Sequence, residues 1–178
     1  PMVLGLGQLG RSLVVALAQR WADGGDGTPL HLTLVDRAAR GRWEALRLQH
    51  PALADVCAPT LLDLDLGEPS AEAVDAFTTA LSTGRPTWVA VAFEDESLAL
   101  SSGLFVHQRL HDRAVPVVVR AQTDAGLGGL LAAGPADRPA FPGLSLFPVL
   151  DRTCTPEAVE GGVREQLALA VHEDYLAH

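Results

Sequence analysis

Short apolar runs alternate with longer helix-forming stretches along the whole chain. Trp88-Val89-Ala90-Val91-Ala92-Phe93 and Val115-Pro116-Val117-Val118-Val119 are nearly continuous in apolar character, without the every-second-residue alternation of a sheet wetted on one face. Such runs belong to strands covered by helices on both sides. The pattern predicts strands at about 2–6, 30–36, 56–64, 86–93, 115–120 and 144–150. Helices are expected at about 8–21, 39–49, 69–82, 96–113, 123–133 and 155–177. Glu68-Pro69-Ser70 ahead of Ala71-Glu72-Ala73-Val74 puts proline at a helix start, where its missing N–H costs nothing. The clearest loop is Gly134-Pro135-Ala136-Asp137-Arg138-Pro139-Ala140-Phe141-Pro142-Gly143. Alternating strands and helices predict an α/β fold, a Rossmann-type doubly wound parallel sheet of about six strands in a single domain. That domain covers 1–153, and 154–178 forms a C-terminal helix leading toward a downstream module absent from the chain.

The first strand runs into Gly5-Leu6-Gly7-Gln8-Leu9-Gly10, and helix-forming sequence follows at once. This G-x-G-x-x-G has the strand and helix flanks of a dinucleotide-binding turn. Gly5 makes the tight turn, Gly7 lets backbone approach a pyrophosphate, and Gly10 lets the helix lie close to the strand. The free N–H groups and positive end of the helix then face the phosphates. An acid is expected at the end of the next strand, and Leu32-Thr33-Leu34-Val35-Asp36 supplies it. The interval is long because Ala22-Asp23-Gly24-Gly25-Asp26-Gly27-Thr28-Pro29 inserts a polar, glycine-rich loop. A carboxylate at Asp36 can accept both ribose hydroxyls and repels a 2′-phosphate, favouring NAD, AMP or ATP over NADP. Arg37 works either way, stacking on adenine or meeting a 2′-phosphate.

Composition narrows the field. At 178 residues and 48% hydrophobic content, the chain suits one well-buried domain and is too short for a nucleotide domain joined to a full catalytic domain. The net charge is −9 and all 13 basic residues are arginine, which argues against a nucleic-acid face and removes any Schiff-base or P-loop lysine. Cys57 and Cys154 lack C-x-x-C spacing and read as structural thiols in a reducing cytoplasm. No apolar stretch approaches the length of a membrane span, and no signal peptide precedes the first strand. Pro1 stands almost on that strand, an opening that suits a piece of a longer protein.

Ligands of such sheets lie across the carboxyl ends of the strands, here Gly5, Asp36, Asp63, Phe93 and Arg120. Of Asp63 and Asp65, one would accept from an adenine amino group while the other faces solvent, and Asp63 is the chosen candidate. Phe93-Glu94-Asp95-Glu96-Ser97 either caps the nicotinamide-side ribose or begins the next helix, where acids oppose the dipole. Arg120 either reaches a phosphate or forms a structural pair with Glu94. His107 and His111 stand at i, i+4 without a third metal ligand and read as a solvated helix face. His172-Glu173-Asp174-Tyr175-Leu176-Ala177-His178 breaks zincin spacing, and Gly143-Leu144-Ser145-Leu146-Phe147 lacks the last glycine of a nucleophile elbow. No metal site and no covalent hydrolysis is predicted.

The glycine motif, Asp36 with Arg37, the turn Phe93-Glu94-Asp95-Glu96 and the strand Pro116-Val117-Val118-Val119-Arg120 together resemble RCK (Trk-type N-terminal, regulator of potassium conductance) domains, over about residues 2–150. The resemblance implies a non-catalytic sensor of NAD(H) or of AMP, ADP or ATP. It further implies assembly through dimers and control of potassium transport or of an attached effector at the cytoplasmic face of a membrane channel or transporter. It assigns Gly5, Gly7, Gln8, Leu9 and Gly10 to the phosphates, Asp36 and Arg37 to the adenosine ribose and base, and Asp63 to the adenine edge. The chain differs from the family pattern in its 22–29 insertion, in Leu62-Asp63-Leu64-Asp65 where members carry Gly-Asp, and in lacking a recognisable C-terminal lobe. Ala168-Leu169-Ala170-Val171-His172-Glu173-Asp174-Tyr175-Leu176 is similar to the opening helix of ryanodine-receptor-type repeats, or else is an amphipathic last helix packing on the sheet or a dimer mate. A homodimer is expected through Leu98, Leu100, Leu104, Phe105 and Leu110 with the final helix. The alternative function is the cofactor half of an NAD-dependent oxidoreductase.

Overall fold

The computed structural model describes residues 1–24, 27–123 and 141–150. In chain order the elements are β1 (Met2–Leu4), α1 (Gln8–Gly24), β2 (Leu30–Asp36), α2 (Ala39–Gln49), α3 (Leu53–Val56) and β3 (Cys57–Asp63). The second half adds α4 (Ala71–Thr83), β4 (Val89–Val91), α5 (Glu96–Leu110), a 3-10 turn at His111–Arg113, β5 (Val117–Ala121) and β6 (Leu144–Pro148). All six strands pair in parallel in the order β3-β2-β1-β4-β5-β6. The fold is Rossmann-like. The chain leaves β1 in one direction to build β2 and β3, then returns to lay β4 on the other side of β1, which opens a crevice between their carboxyl ends.

Alternate residues of β1 feed two separate cores. Val3 packs with Leu30, Leu32 and Leu34 of β2 beneath Val14 and Ala18 of α1, Trp43 and Leu46 of α2 and Leu53 of α3. Met2 and Leu4 pack with Val35, Val89 and Val91 beneath Phe77 and Leu81 of α4 and Leu100, Val106 and Leu110 of α5. At the central strands β1 and β4 every residue is buried, which is why they read as unbroken apolar runs, whereas the edge strands β3 and β6 keep exposed positions. Cys57 is buried at 7% exposure, and that burial raises its thiol pKa.

Helix ends follow local chemistry. The Ser70 hydroxyl accepts from the Ala73 N–H at 3.1 Å to start α4, and the Asp95 carboxylate accepts from the Leu98 N–H at 2.7 Å to start α5. Several boundaries differ from expectation: β4 is only Val89–Val91 of the expected 86–93, α5 ends at Leu110, and β6 ends at Pro148. The helix α1 runs on to Gly24, taking the first residues of the polar insertion, and β1 is cut to three residues because the chain turns at Gly5. The one-turn α3 after Pro51 was hidden between two stronger signals. The helices expected at 123–133 and 155–177, and with them the tail segment 154–178, lie outside the described residues apart from position 123.

The α5 surface also departs from expectation. Leu100 and Leu110 are 8% and 2% exposed and face the sheet, while Phe105 stacks on Phe77 of α4 with ring centroids 5.8 Å apart and carries Arg109 over its outer face. Leu98 and Leu104 are half-buried. Leu100 and Leu110 thus belong to the core, while Leu98, Leu104 and Phe105 keep partial exposure.

Candidate functional site

The crevice between β1 and β4 is built on two glycines at which an added Cβ would meet backbone. Gly5 has φ +86°, and a Cβ there would stand 2.8 Å from the ring and the backbone nitrogen of Phe93. A Cβ on Gly10 would fall well inside van der Waals contact of the Gly5 carbonyl oxygen, so α1 can begin only against a bare Cα. Gly7 is different: its Cβ would meet Oε1 of Glu94 at 2.9 Å, the tip of a side chain that can move.

Asp36 ties β2 to the glycine loop. Its Oδ2 accepts from the Leu6 N–H at 2.8 Å and pairs with Arg42 Nη1 at 3.1 Å, while Oδ1 accepts from the Ala38 N–H at 3.0 Å. The residue is 3% exposed. With two partners on Oδ2 and one on Oδ1, a carboxylate of about four acceptor positions keeps one, on Oδ1. Most of its acceptor capacity is thus taken up inside the chain.

The two carboxylates at the end of β3, Asp63 within the strand and Asp65 just past it, change places relative to expectation. Asp63 binds Arg40 twice, through its backbone N–H at 2.9 Å and its Nε at 2.9 Å, and does not line the crevice. Asp65 does line it, and its Oδ1 folds the following turn by accepting from the Gly67 N–H at 2.9 Å and the Glu68 N–H at 3.4 Å. Alternation along a strand would put positions 63 and 65 on one face; they part because β3 ends at Asp63 and Asp65 already belongs to the turn that follows.

The turn after β4 divides its acids. Asp95 caps α5, whereas Glu94 leans over the glycine loop and Oε1 accepts from the Gln8 N–H at 3.4 Å. Arg120 reaches neither the crevice nor the Glu94 carboxylate. Its Nη1 donates to the Phe93 carbonyl at 3.2 Å and the Glu94 carbonyl at 2.7 Å, so it clamps the backbone of that turn. Oε1 of Glu96 is buried with no hydrogen-bond partner among the described residues. His107 donates from Nε2 to the Pro142 carbonyl at 2.8 Å.

These pieces enclose a cleft of about 890 Å³ at the strand ends. From the expected set, Gly5, Gly7, Asp36, Arg37, Phe93 and Glu94 line it; Gln8, Leu9, Gly10, Asp63 and Arg120 do not. Gly10 acts from beneath, by letting α1 start where it does. Arg37 is exposed and has no hydrogen-bond or ion-pair partner among the described residues, leaving its guanidinium open to a ligand. Sequence reasoning missed Arg42, Leu64, Leu66, Gly67, Glu68, Ser97, Leu98 and Ser101. The turn signal Asp65-Leu66-Gly67-Glu68-Pro69 directly after β3 could have pointed to the wall it forms; nothing local marks Arg42. At Leu66 and Ser101 the cleft continues into an apolar recess of about 260 Å³ between α4 and α5, bordered by Phe77, Ser102 and Phe105. Among the described residues no group of histidine, cysteine and carboxylate side chains is arranged to hold a metal ion, and no helix is long and apolar enough to cross a membrane.

The fold and cleft define a Rossmann-like α/β domain with a ligand-sized opening at its switch point. No protein-family model and no curated protein matches the chain.

Proposed function

We propose that this protein is a non-catalytic regulatory domain that binds NAD(H) or an adenine nucleotide across the strand ends. The observation that carries the reading is the Leu6 N–H to Asp36 Oδ2 hydrogen bond, which locks the ribose-side acid to the glycine loop on the rim of a cleft of about 890 Å³. Arg37 offers an uncommitted cation beside it. The described lining holds carboxylates and arginines but no histidine, cysteine or tyrosine, which supports binding without turnover over the cofactor half of an oxidoreductase. Control of potassium transport or of an attached effector belongs to the same proposal and rests on the resemblance of the glycine loop, Asp36-Arg37 and the strand-four turn to RCK domains.

A thermal-shift panel of NAD, NADH, NADP, AMP, ADP and ATP tests the reading. A hundredfold excess over the dissociation constant adds about 2.7 kcal/mol to stability, well within detection. Absence of any shift across the panel overturns nucleotide binding, and sustained NADH oxidation with keto acids overturns the non-catalytic part. Gly7→Val is expected to fold with a near-parental Tm, because only the Glu94 tip obstructs the new side chain, and to lose the nucleotide-induced shift. A variant still stabilised by nucleotide as strongly as the parent would show that no ligand approaches Gly7. A sensor also needs a second body to read its state, and a homodimer supplies one. Light scattering at micromolar concentration should then give twice the 18.7 kDa chain mass; a mass near one chain removes the dimer.

A further inference from the structure

The glycine loop already faces an anion. Glu94 Oε1 lies 3.4 Å from the backbone nitrogen of Gln8, the first residue of α1, and 2.9 Å from the point where a Cβ on Gly7 would stand. A phosphate on this loop would seek the same N–H and the same bare approach. The surroundings do not offset the charge. Asp36, Asp65, Glu68 and Asp95 line the cleft together with Glu94, against only Arg37 and Arg42, and Arg42 is engaged with Asp36. The backbone under Glu94 is held by Arg120 at both the Phe93 and the Glu94 carbonyl, and Phe93 packs on Gly5. The carboxylate is on the exposed side of that anchored turn and can leave only by side-chain rotation into solvent.

On the nucleotide reading above, we propose that Glu94 is the specificity-determining residue of the glycine loop, a built-in carboxylate that competes with the phosphates of an incoming ligand. The nucleoside portion binds against Asp36, Arg37 and the wall after β3 without disturbing Glu94. A phosphate chain binds only by turning Glu94 out. Affinity is therefore held down in proportion to the negative charge brought to the loop, and the occupied and empty sites differ in where one carboxylate points.

The test is titration calorimetry of the parent and Glu94→Gln with adenosine, ADP and inorganic pyrophosphate. The substitution keeps shape and removes charge at an exposed position, and Glu94→Ala serves should the amide variant fail to fold. We expect ADP to bind Glu94→Gln about tenfold more tightly, equivalent to about 1.4 kcal/mol. Adenosine affinity stays unchanged, and the ADP gain shrinks at about 1 M salt, where the screening length falls to about 3 Å. An equal gain for adenosine and ADP, or an ADP affinity that is unchanged or lower, overturns the proposal. Should neither adenosine nor ADP bind either protein, the nucleotide reading fails, and pyrophosphate decides on Glu94 alone. Uptake by the variant and not by the parent sustains the competing carboxylate; equal behaviour of the two removes it.

Discussion

Replacing Gly10 with alanine is expected to cost the fold about 3 kcal/mol, the upper end of the overpacking range, or a fall in Tm of roughly 6–12 °C. The reason is that the new methyl group would collide with backbone, the Gly5 carbonyl, and not with a side chain that can swing away. Relief requires α1 to lift off β1, and α1 buries Val14 and Ala18 in the core on that face of the sheet. The same substitution at Gly41, with nothing within 4 Å of its added Cβ and a place inside α2, serves as the internal comparison. There alanine should stabilise by about 0.4–1 kcal/mol through reduced freedom of the unfolded chain. Thermal melts of both variants check the pair. A Gly10→Ala protein within about 0.5 kcal/mol of the parent, the range of an ordinary surface change, would mean that the helix start is not held against the turn.

The second large effect is expected at Asp36. Removing its carboxylate in Asp36→Ala strands the Leu6 and Ala38 N–H groups and leaves Arg42 without its ion pair. Breaking a buried charge pair costs about 3–5 kcal/mol when both partners are dry, and the Arg42 side chain is 35% exposed, so the expected loss is about 2–4 kcal/mol. Urea unfolding with an unchanged m-value measures it. Under the proposed function the same variant weakens NAD more than NADP, because the lost acceptor served a ribose hydroxyl and the lost charge repelled a 2′-phosphate. Wild-type stability in the variant would show that the three partners find water instead, and an unchanged NAD to NADP ratio would remove the ribose role.

The reach of the sequence follows the range of the interaction that decides each feature. Gly5, Gly10 and Asp36 were readable because a strand, a turn and a helix start lie together in the chain and constrain one another. The central strands were readable because both their faces are buried. What escaped was decided by contacts across the fold. Arg42 reaches the cleft because α2 turns it back onto Asp36, six positions earlier, and no local pattern announces that. Asp63 and Asp65 have the same residue type and the same neighbours in sequence, and only the backbone N–H and guanidinium of Arg40 claim the first. Leu100 and Leu110 of α5 pack into the sheet core and Phe105 meets Phe77 of α4, contacts made by segments distant in the chain. Glu94 was recognised as a strand-end acid, but its approach to Gln8 depends on Phe93 docking against Gly5.

The two walls of the cleft are supported by different means. On one side the turn after β4 rests on Gly5 and is gripped by Arg120; on the other, Leu64 donates to the Asp36 carbonyl, Leu64 and Leu66 pack on the core, and Asp65 and Ser70 fold the rest of the turn into α4. Under the proposed function the clamped turn is the end that meets a ligand's phosphates, while the opposite wall opens onto the recess lined by Leu66. On that reading the cleft is expected to sort ligands by charge more than by size.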